Sequence, residues 1–347
     1  LEDEILQAYM EDVGEHNSEL FARFHYGEKI DGFHGDISST VKLSDSEVLV
    51  CDEDEKGEMR ILRKTEDGLW DYDSDSIDGF DNAAYSTMKL SDSEVLVCGG
   101  NGETRILRKG EDGSWNYDGE KIDGFHRDVS STVKLSDSEV LVCGDEGETR
   151  ILRKGEDGSW GYTDDKIDGF NCSFIYATLK LSDDEVLVCG SGFKGGETRI
   201  LRKGEDGSWN YDSNSIDGFD GDAAYSTVKL SDSEVLVCGE ISGHGLTRIL
   251  RKSEDGLWGY DSSDIIGGFR GMILSALKLS DSEVLVCGGG IRRGETRILR
   301  KDEDGLWNYD SNSIDGFDDT ARSALKLSDN EVLVCGGNGE THILNTD

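Results

Sequence analysis

The sequence predicts an all-β protein, a seven-bladed β-propeller of four-stranded antiparallel blades, and three observations carry that expectation. A string Lys-Leu-Ser-Asp-x-Glu-Val-Leu-Val-Cys recurs seven times, from Lys42, Lys89, Lys134, Lys180, Lys229, Lys278 and Lys326, at intervals of 45–49 residues. Each interval holds four short runs of β-forming residues separated by turn chemistry. The two chain ends are out of phase: the last copy stops after its third run, and the chain opens with a fourth run that has no partners of its own. A fixed period of this length with four strands per unit is the pattern of a propeller blade, whereas a helical solenoid would need amphipathic helices in every unit.

The third copy illustrates the unit. Its first expected strand is Ser131–Leu135, its second Glu139–Cys143, its third Thr149–Arg153, and its fourth surrounds Trp160 and Tyr162. Ser136-Asp137-Ser138 joins the first pair and Glu156-Asp157-Gly158 the last. Asp-Gly between two apolar runs is a hairpin signal, because glycine accepts positive φ at little cost. At the ends, Thr341-His342-Ile343-Leu344 is a third strand without a fourth, and Phe21–Tyr26 is a fourth strand without a third. Pairing them completes seven blades and leaves no open sheet edge where the ring begins and ends. The propeller is expected over residues 18–347. Residues 1–17 stand apart, with Leu1, Ile5, Leu6, Tyr9, Met10 and Val13 at helical spacing, and predict a short amphipathic helix that caps the propeller or serves in docking or dimerisation.

The order of the unit resembles WD40 repeats. Residues 30–45 resemble that family's stretch from its Gly-His dipeptide through the first strand, and residues 95–107 its second and third strands. The chain departs where the family takes its name: Arg108-Lys109 stands in place of Trp-Asp, and phenylalanine replaces the histidine of Gly-His. The resemblance therefore implies a divergent WD40-like propeller without that family's buried polar network. The kelch repeat, with paired glycines after its second strand and a fourth-strand tryptophan, is the second resemblance. Either implies a propeller that works as a scaffold for protein partners.

Charge narrows the function. With 36 Lys+Arg against 74 Asp+Glu the net charge is −38, which opposes phosphate backbones and anionic lipid headgroups. Nucleic acid and membrane are therefore not expected partners, and a basic protein surface is the complementary one. No apolar run approaches the roughly 18 residues of a membrane-spanning helix, and no basic-then-apolar leader opens the sequence. Seven of the eight cysteines share one position, Cys51, Cys98, Cys143, Cys189, Cys238, Cys287 and Cys335, which reads as a buried packing position. Neighbouring copies lie too far apart for disulfides, so reduced thiols and a cytoplasmic, intracellular setting are expected, with a monomeric propeller unless residues 1–17 dimerise. Cys172 lies outside the repeat, in an expected exposed loop; Asn171-Cys172-Ser173 is one glycosylation sequon, weak evidence for secretion.

Catalytic and ligand motifs are sparse. The six histidines are scattered, and no nucleophile elbow, zinc-protease motif or phosphate-binding glycine loop is present. The Asp-x-x-Glu of each copy belongs to a repeated hairpin, whereas a chemical site is asymmetric. No enzyme, cofactor or metal is expected; a hydrolase site at the channel mouth is a distant third reading. Trp70, Trp115, Trp160, Trp209, Trp258 and Trp307 share one position, which reads as packing between sheets, or as one sugar-stacking platform per blade in a lectin-like alternative. Asp71-Tyr72-Asp73-Ser74-Asp75 has the alternating carboxylates that calcium favours, but no other copy repeats it.

The copies differ from one another in two connections, one between the second and third strands and one following Gly-Phe, and propeller geometry places both on one face. Loops on a rigid scaffold are where binding is built. Three successive copies carry apolar, aromatic and cationic residues there: Phe174, Ile175, Tyr176, Phe193 and Lys194, then Ile241 and His244, then Arg270, Met272, Ile273, Leu274, Ile291, Arg292 and Arg293. Aromatics, methionine and arginine are enriched at interface cores. The expected protein-binding patch comprises Phe174, Tyr176, Phe193, Lys194, Ile241, His244, Arg270, Met272, Ile291, Arg292 and Arg293. A recently amplified or designed repeat without a specific ligand is the remaining reading of such similar copies.

Overall fold

The computed structural model describes residues 24–54, 57–192, 195–290 and 293–346. The expected helix over 1–17, and residues 21–23 of the expected first strand, lie outside them. The described chain forms seven four-stranded antiparallel sheets, as the repeat arithmetic requires. Six are consecutive in sequence, and we number them by order: the first blade spans 37–72, the second 84–117, the third 129–166, the fourth 172–211, the fifth 223–266 and the sixth 272–309. The seventh takes Ala321–Lys326, Glu331–Gly336 and Thr341–Thr346 from the C-terminal end and Phe24–Tyr26 from the N-terminal end. That joint pairs Phe24 with Thr346 and Tyr26 with Leu344.

The third blade shows how composition sets the element. Its strands are Val129–Ser136, Glu139–Gly144, Thr149–Lys154 and Trp160–Lys166, each a little longer than the expected core. Thr132 lies opposite Val142, and Leu141 opposite Ile151. Val140, Leu141, Val142 and Cys143 are all fully buried, so both faces of this strand are covered. A strand covered on both sides reads as a continuous apolar run, which is what Val-Leu-Val-Cys is.

Two compact units are present. One comprises Ile30–Phe193 and Arg199–Ser215, the other Leu1–Lys29, Lys194–Thr198 and Ile216–Asp347. Within each, the cores lie between adjacent sheets. In the first, Leu96 and Cys98 of the second blade pack with Val140, Val142 and Trp160 of the third. In the other, Leu236, Cys238 and Ile249 of the fifth blade pack with Val284, Val286 and Trp307 of the sixth.

Polar contacts repeat between blades as well. Thr104 Oγ1 meets the Tyr162 hydroxyl at 2.8 Å, and Thr149 Oγ1 meets that of Tyr211 at 2.9 Å. In the other unit Thr247 Oγ1 meets Tyr309 at 2.7 Å and Thr296 Oγ1 meets Tyr26 at 2.8 Å. In the first blade Met59 stands in the threonine position, and the Tyr117 hydroxyl donates to its Sδ at 2.8 Å. Burial pushes the Tyr162, Tyr211, Tyr309 and Tyr26 phenols well up, so they stay neutral donors. A tyrosine–threonine pair thus recurs between neighbouring blades. The Arg-Lys dipeptide in the Trp-Asp position has its own work. Arg108 pairs with Glu94 and Asp118 in its own blade, while Lys109 reaches Glu47 of the preceding blade at 2.7 Å.

The invariant Gly-Phe has a steric cause. Gly124 has φ +138°, and a Cβ there would fall 2.8 Å from the Tyr162 ring. The following Phe125 is buried and packs its ring 5.9 Å from Tyr162. No helix among the described residues is long and apolar enough to cross a membrane.

Candidate interaction face

Strand register places the two variable connections of each blade at one end of its sheet. In the fourth blade Cys172 opposes Gly192 and Phe174 opposes Ser191. In the fifth Ala223 opposes Glu240, and in the sixth Met272 opposes Gly289. The same register holds in the other blades, where Val129 opposes Gly144 and Ala321 opposes Gly336.

That end is built in two ways. In the second, third and seventh blades the second and third strands are joined by tight single turns, Gly100–Gly102, Asp145–Gly147 and Gly337–Gly339. In the fourth, fifth and sixth the two strands run on as a longer hairpin. Their second strands extend to Gly192, Ile241 and Gly290, and their third strands start at Gly195, His244 and Arg293. The fifth-blade hairpin turns on Ser242 and Gly243, at φ 51° and 80°, the positive pair of a type I′ turn. The three blades with unusual residues are thus also the three with extended hairpins, a feature the loop lengths hinted at and the ladder establishes.

The expected patch residues fall into three groups. Phe174 is 41 % exposed and stacks on Tyr176 at 5.8 Å with an interplanar angle of 21°. They belong to the unit that holds Ile30–Phe193. In the other unit, His244, Arg270 and Arg293 are exposed, while Ile241 and Met272 are partly covered. Ile241 and His244 face each other across the fifth-blade turn. The Arg270 N–H donates to Glu295 at 2.8 Å, which ties the start of the sixth blade to its third strand. Phe193, Lys194, Ile291 and Arg292 lie outside the described residues.

Ile175 and Ile273 do not belong to this surface. Both are fully buried, opposite Gly190 and Gly288. They occupy the position that Ile37, Ala84, Val129, Ala224 and Ala321 fill elsewhere, all fully buried. Counting five residues back from each repeat lysine would have assigned them to the core. Cys172 is a second correction. It is the first residue of the Cys172–Lys180 strand and is 5 % exposed, packed with Ile167 and Phe170. The extended second strand reaches Gly192 and pairs with it, drawing the supposed loop into the sheet.

A glutamate holds the face in shape. Glu103 accepts from the Asp81 N–H at 3.1 Å and Asn82 Nδ2 at 2.7 Å. Glu340 accepts from the N–H groups of Asp318 and Asp319, both at 2.8 Å. In the fifth blade Leu246 takes this position and is buried. There Arg248 binds Asp220 at 3.2 Å, and Asp222 receives the Ser242 N–H at 2.7 Å.

The remaining candidates are structural. All six tryptophans are 5–8 % exposed, and the Lys154 ammonium lies 5.6 Å from the Trp160 ring centre, with the same cover on Trp70, Trp115, Trp209, Trp258 and Trp307. A ring packed on one side and covered by its lysine offers no stacking platform to a sugar. All eight cysteines are buried and free of disulfides. Burial pushes the Cys98, Cys143, Cys238, Cys287 and Cys335 thiols up to about 12, out of the range of reactive thiolates. In the Asp71–Asp75 run, Asp73 is taken up by Arg63 at 2.8 Å. Among the described residues no group of three or more His, Cys, Asp or Glu is arranged to hold a metal ion.

Comparison with solved structures settles the fold. The WD40 β-propeller domain of Doa1 superposes with a TM-score of 0.67 at 15 % identity, over 93 % of this chain and 97 % of that one. The WD40 repeats of RRP9 superpose with a TM-score of 0.67 at 12 % identity, over 94 % of this chain and 98 % of that one. This is a WD40-like β-propeller fold. No family model and no curated protein sequence matches the chain. At such identities the likeness is one of architecture, and the WD40-like propeller here reaches it with Tyr–Thr and Lys–Glu contacts between blades.

Proposed function

We propose that the chain is a non-enzymatic interaction scaffold that presents the variable loop end of its blades to a protein partner. The observation that carries this reading is the coincidence, in the fourth, fifth and sixth blades, of extended hairpins with side chains of interface type. The remaining blades keep tight turns or short acidic loops at the same end. Phe174 and Tyr176 supply an exposed aromatic pair, and Arg270 and Arg293 supply guanidinium groups on an otherwise acidic chain. Aromatic and arginine anchors dominate the energetics of protein interfaces. We also propose a cytoplasmic setting, supported by buried cysteines free of disulfides. A partner with a basic surface suits the −38 charge, and its association then slows as salt rises.

The test is a pull-down with the wild-type chain and two variants, one with Arg270, Arg292 and Arg293 changed to Glu and one with Phe174→Ala and Tyr176→Ala. Loss of the same captured protein in both variants supports the patch. Undiminished capture by both refutes it. Turnover in a broad substrate screen would overturn the non-enzymatic part of the reading.

A further inference from the structure

Six of the seven blades carry a glutamate two positions before a basic residue at the start of the third strand, the fifth having Leu246 in its place, and the seventh blade alone makes that basic residue a histidine. Arg60, Arg105, Arg150 and Arg297 each donate through Nε to the glutamate two residues earlier, Glu58, Glu103, Glu148 and Glu295, at 2.7–2.8 Å. A second nitrogen of Arg60, Arg199 and Arg297 reaches the carbonyl that follows the fourth strand, that of Asp73, Asp212 and Asp310, at 3.3–3.4 Å. One guanidinium thus binds a carboxylate and pins the neighbouring strand's exit.

His342 reproduces both contacts. Its Nε2 lies 3.1 Å from Glu340 Oε1, and its Nδ1 lies 3.0 Å from the Gly27 carbonyl oxygen. Gly27 follows Tyr26 as Asp73 follows Tyr72 and as Asp310 follows Tyr309. Both partners of the ring are acceptors. A guanidinium donates to both at any pH, but an imidazole has two N–H groups only when protonated. The neutral ring would set one nitrogen lone pair against an oxygen. The histidine also sits where it matters most. In the other six blades the third and fourth strands are joined by a hairpin, whereas here the fourth strand, Phe24–Tyr26, comes from the opposite end of the chain.

We propose that His342 is a pH-sensitive latch on the joint between Phe24–Tyr26 and Thr341–Thr346, closed by the imidazolium and loosened when the ring loses its proton. The groups facing the ring are few. Glu340 is buried and also accepts from the Asp318 and Asp319 N–H groups. The Tyr26 ring lies 5.5 Å away with its hydroxyl on Thr296, and the Phe317 ring lies 5.6 Å away. The Asp319 carboxylate is engaged by Asn338. The nearest charge is therefore the Glu340 carboxylate. The doubly protonated ring satisfies both acceptors and the neutral ring only one, so closure weakens as pH rises.

Hydrogen exchange on the full chain tests this, read as protection factors so that intrinsic exchange cancels. The Gly27 N–H, which donates to the Ile343 carbonyl at 2.8 Å, reports the joint; the Asp212 N–H, which donates to the Ile200 carbonyl at 2.9 Å beside Arg199, is the internal control. From pH 5.5 to 8 the Gly27 protection should fall about tenfold, the worth of one charge-assisted hydrogen bond, while that of Asp212 holds. His342→Arg, the residue of the other blades, should hold Gly27 protection constant across the range. His342→Gln should lower it at both ends. An equal fall at Asp212, a flat wild-type profile, or an unchanged fall in His342→Arg would each overturn the latch. The wild type and His342→Arg suffice if His342→Gln does not fold.

Discussion

Thr104 Oγ1 and the Tyr162 hydroxyl, 58 residues apart, meet at 2.8 Å in the interface between the second and third blades. Thr104 is fully buried and Tyr162 partly so. Removing one partner alone strands a buried polar group, which costs about 1–3 kcal/mol, whereas removing both costs less than the sum. A double-mutant cycle of Thr104→Val and Tyr162→Phe, followed by denaturant unfolding, should therefore return a coupling of about 1 kcal/mol. Additive losses would show that the pair is only a contact of convenience.

The first blade breaks the repeat at the end of its second strand. Asp52 stands where the other six blades have glycine, and Gly35 lies against it: a Cβ on Gly35 would fall 2.9 Å from Asp52 Oδ2 and 2.5 Å from Asp54 Oδ2. Burial, helped by the Asp54 charge, pushes the Asp52 carboxyl up to about 6. The folded state thus holds this proton more tightly than the unfolded chain, whose carboxyl titrates near 4. Stability should rise as pH falls from 7 through 6 towards 4, and ionisation above 6 should cost on the order of 1 kcal/mol after solvent screening. Asp52→Asn keeps the acceptor for the Glu58 N–H, 2.8 Å away, and should remove this part of the profile. Identical wild-type and Asp52→Asn profiles would contradict it.

Glycine at the end of the second strand is a close-approach position. A Cβ on Gly144 would lie 2.0 Å from the Asp128 carbonyl oxygen, and one on Gly239 1.9 Å from that of Ala223. Backbone cannot yield as a side chain does, so Gly144→Ala should force the Val129–Gly144 pairing apart. A loss of about 2–3 kcal/mol in denaturant unfolding is expected. Gly158→Ala is the contrast: nothing lies within 4 Å, and only its φ of +85° is strained, so a loss of about 1 kcal/mol is expected.

The thiols give a count that is easily measured. Seven cysteines are fully buried and Cys172 is 5 % exposed. None of the eight should react with a disulfide exchange reagent in the native protein, and all eight should react after denaturation. A single fast native thiol would place Cys172 back on the surface.

The blade count, the strand content of each unit and the joining of the two chain ends were legible in the sequence, because a repeat exposes its own register: each Val-Leu-Val-Cys fixes a strand and each Glu-Asp-Gly a turn. So was the location of difference among the copies. The roles of particular side chains at that end were not. Ile175 and Phe174 are neighbours of similar character, and only strand alternation sends one into the core and leaves the other stacked on Tyr176. Cys172 looked like loop because its neighbours lie outside the repeat, and an extended partner strand ending at Gly192 made it sheet. The Tyr–Thr pairs lie too far apart in sequence for spacing to suggest them. Most telling is His342, an unremarkable substitution for arginine by charge. Its meaning comes from Gly27, more than three hundred residues away, because a hydrogen bond depends on where an acceptor sits in space and the order of residues along a chain does not specify that.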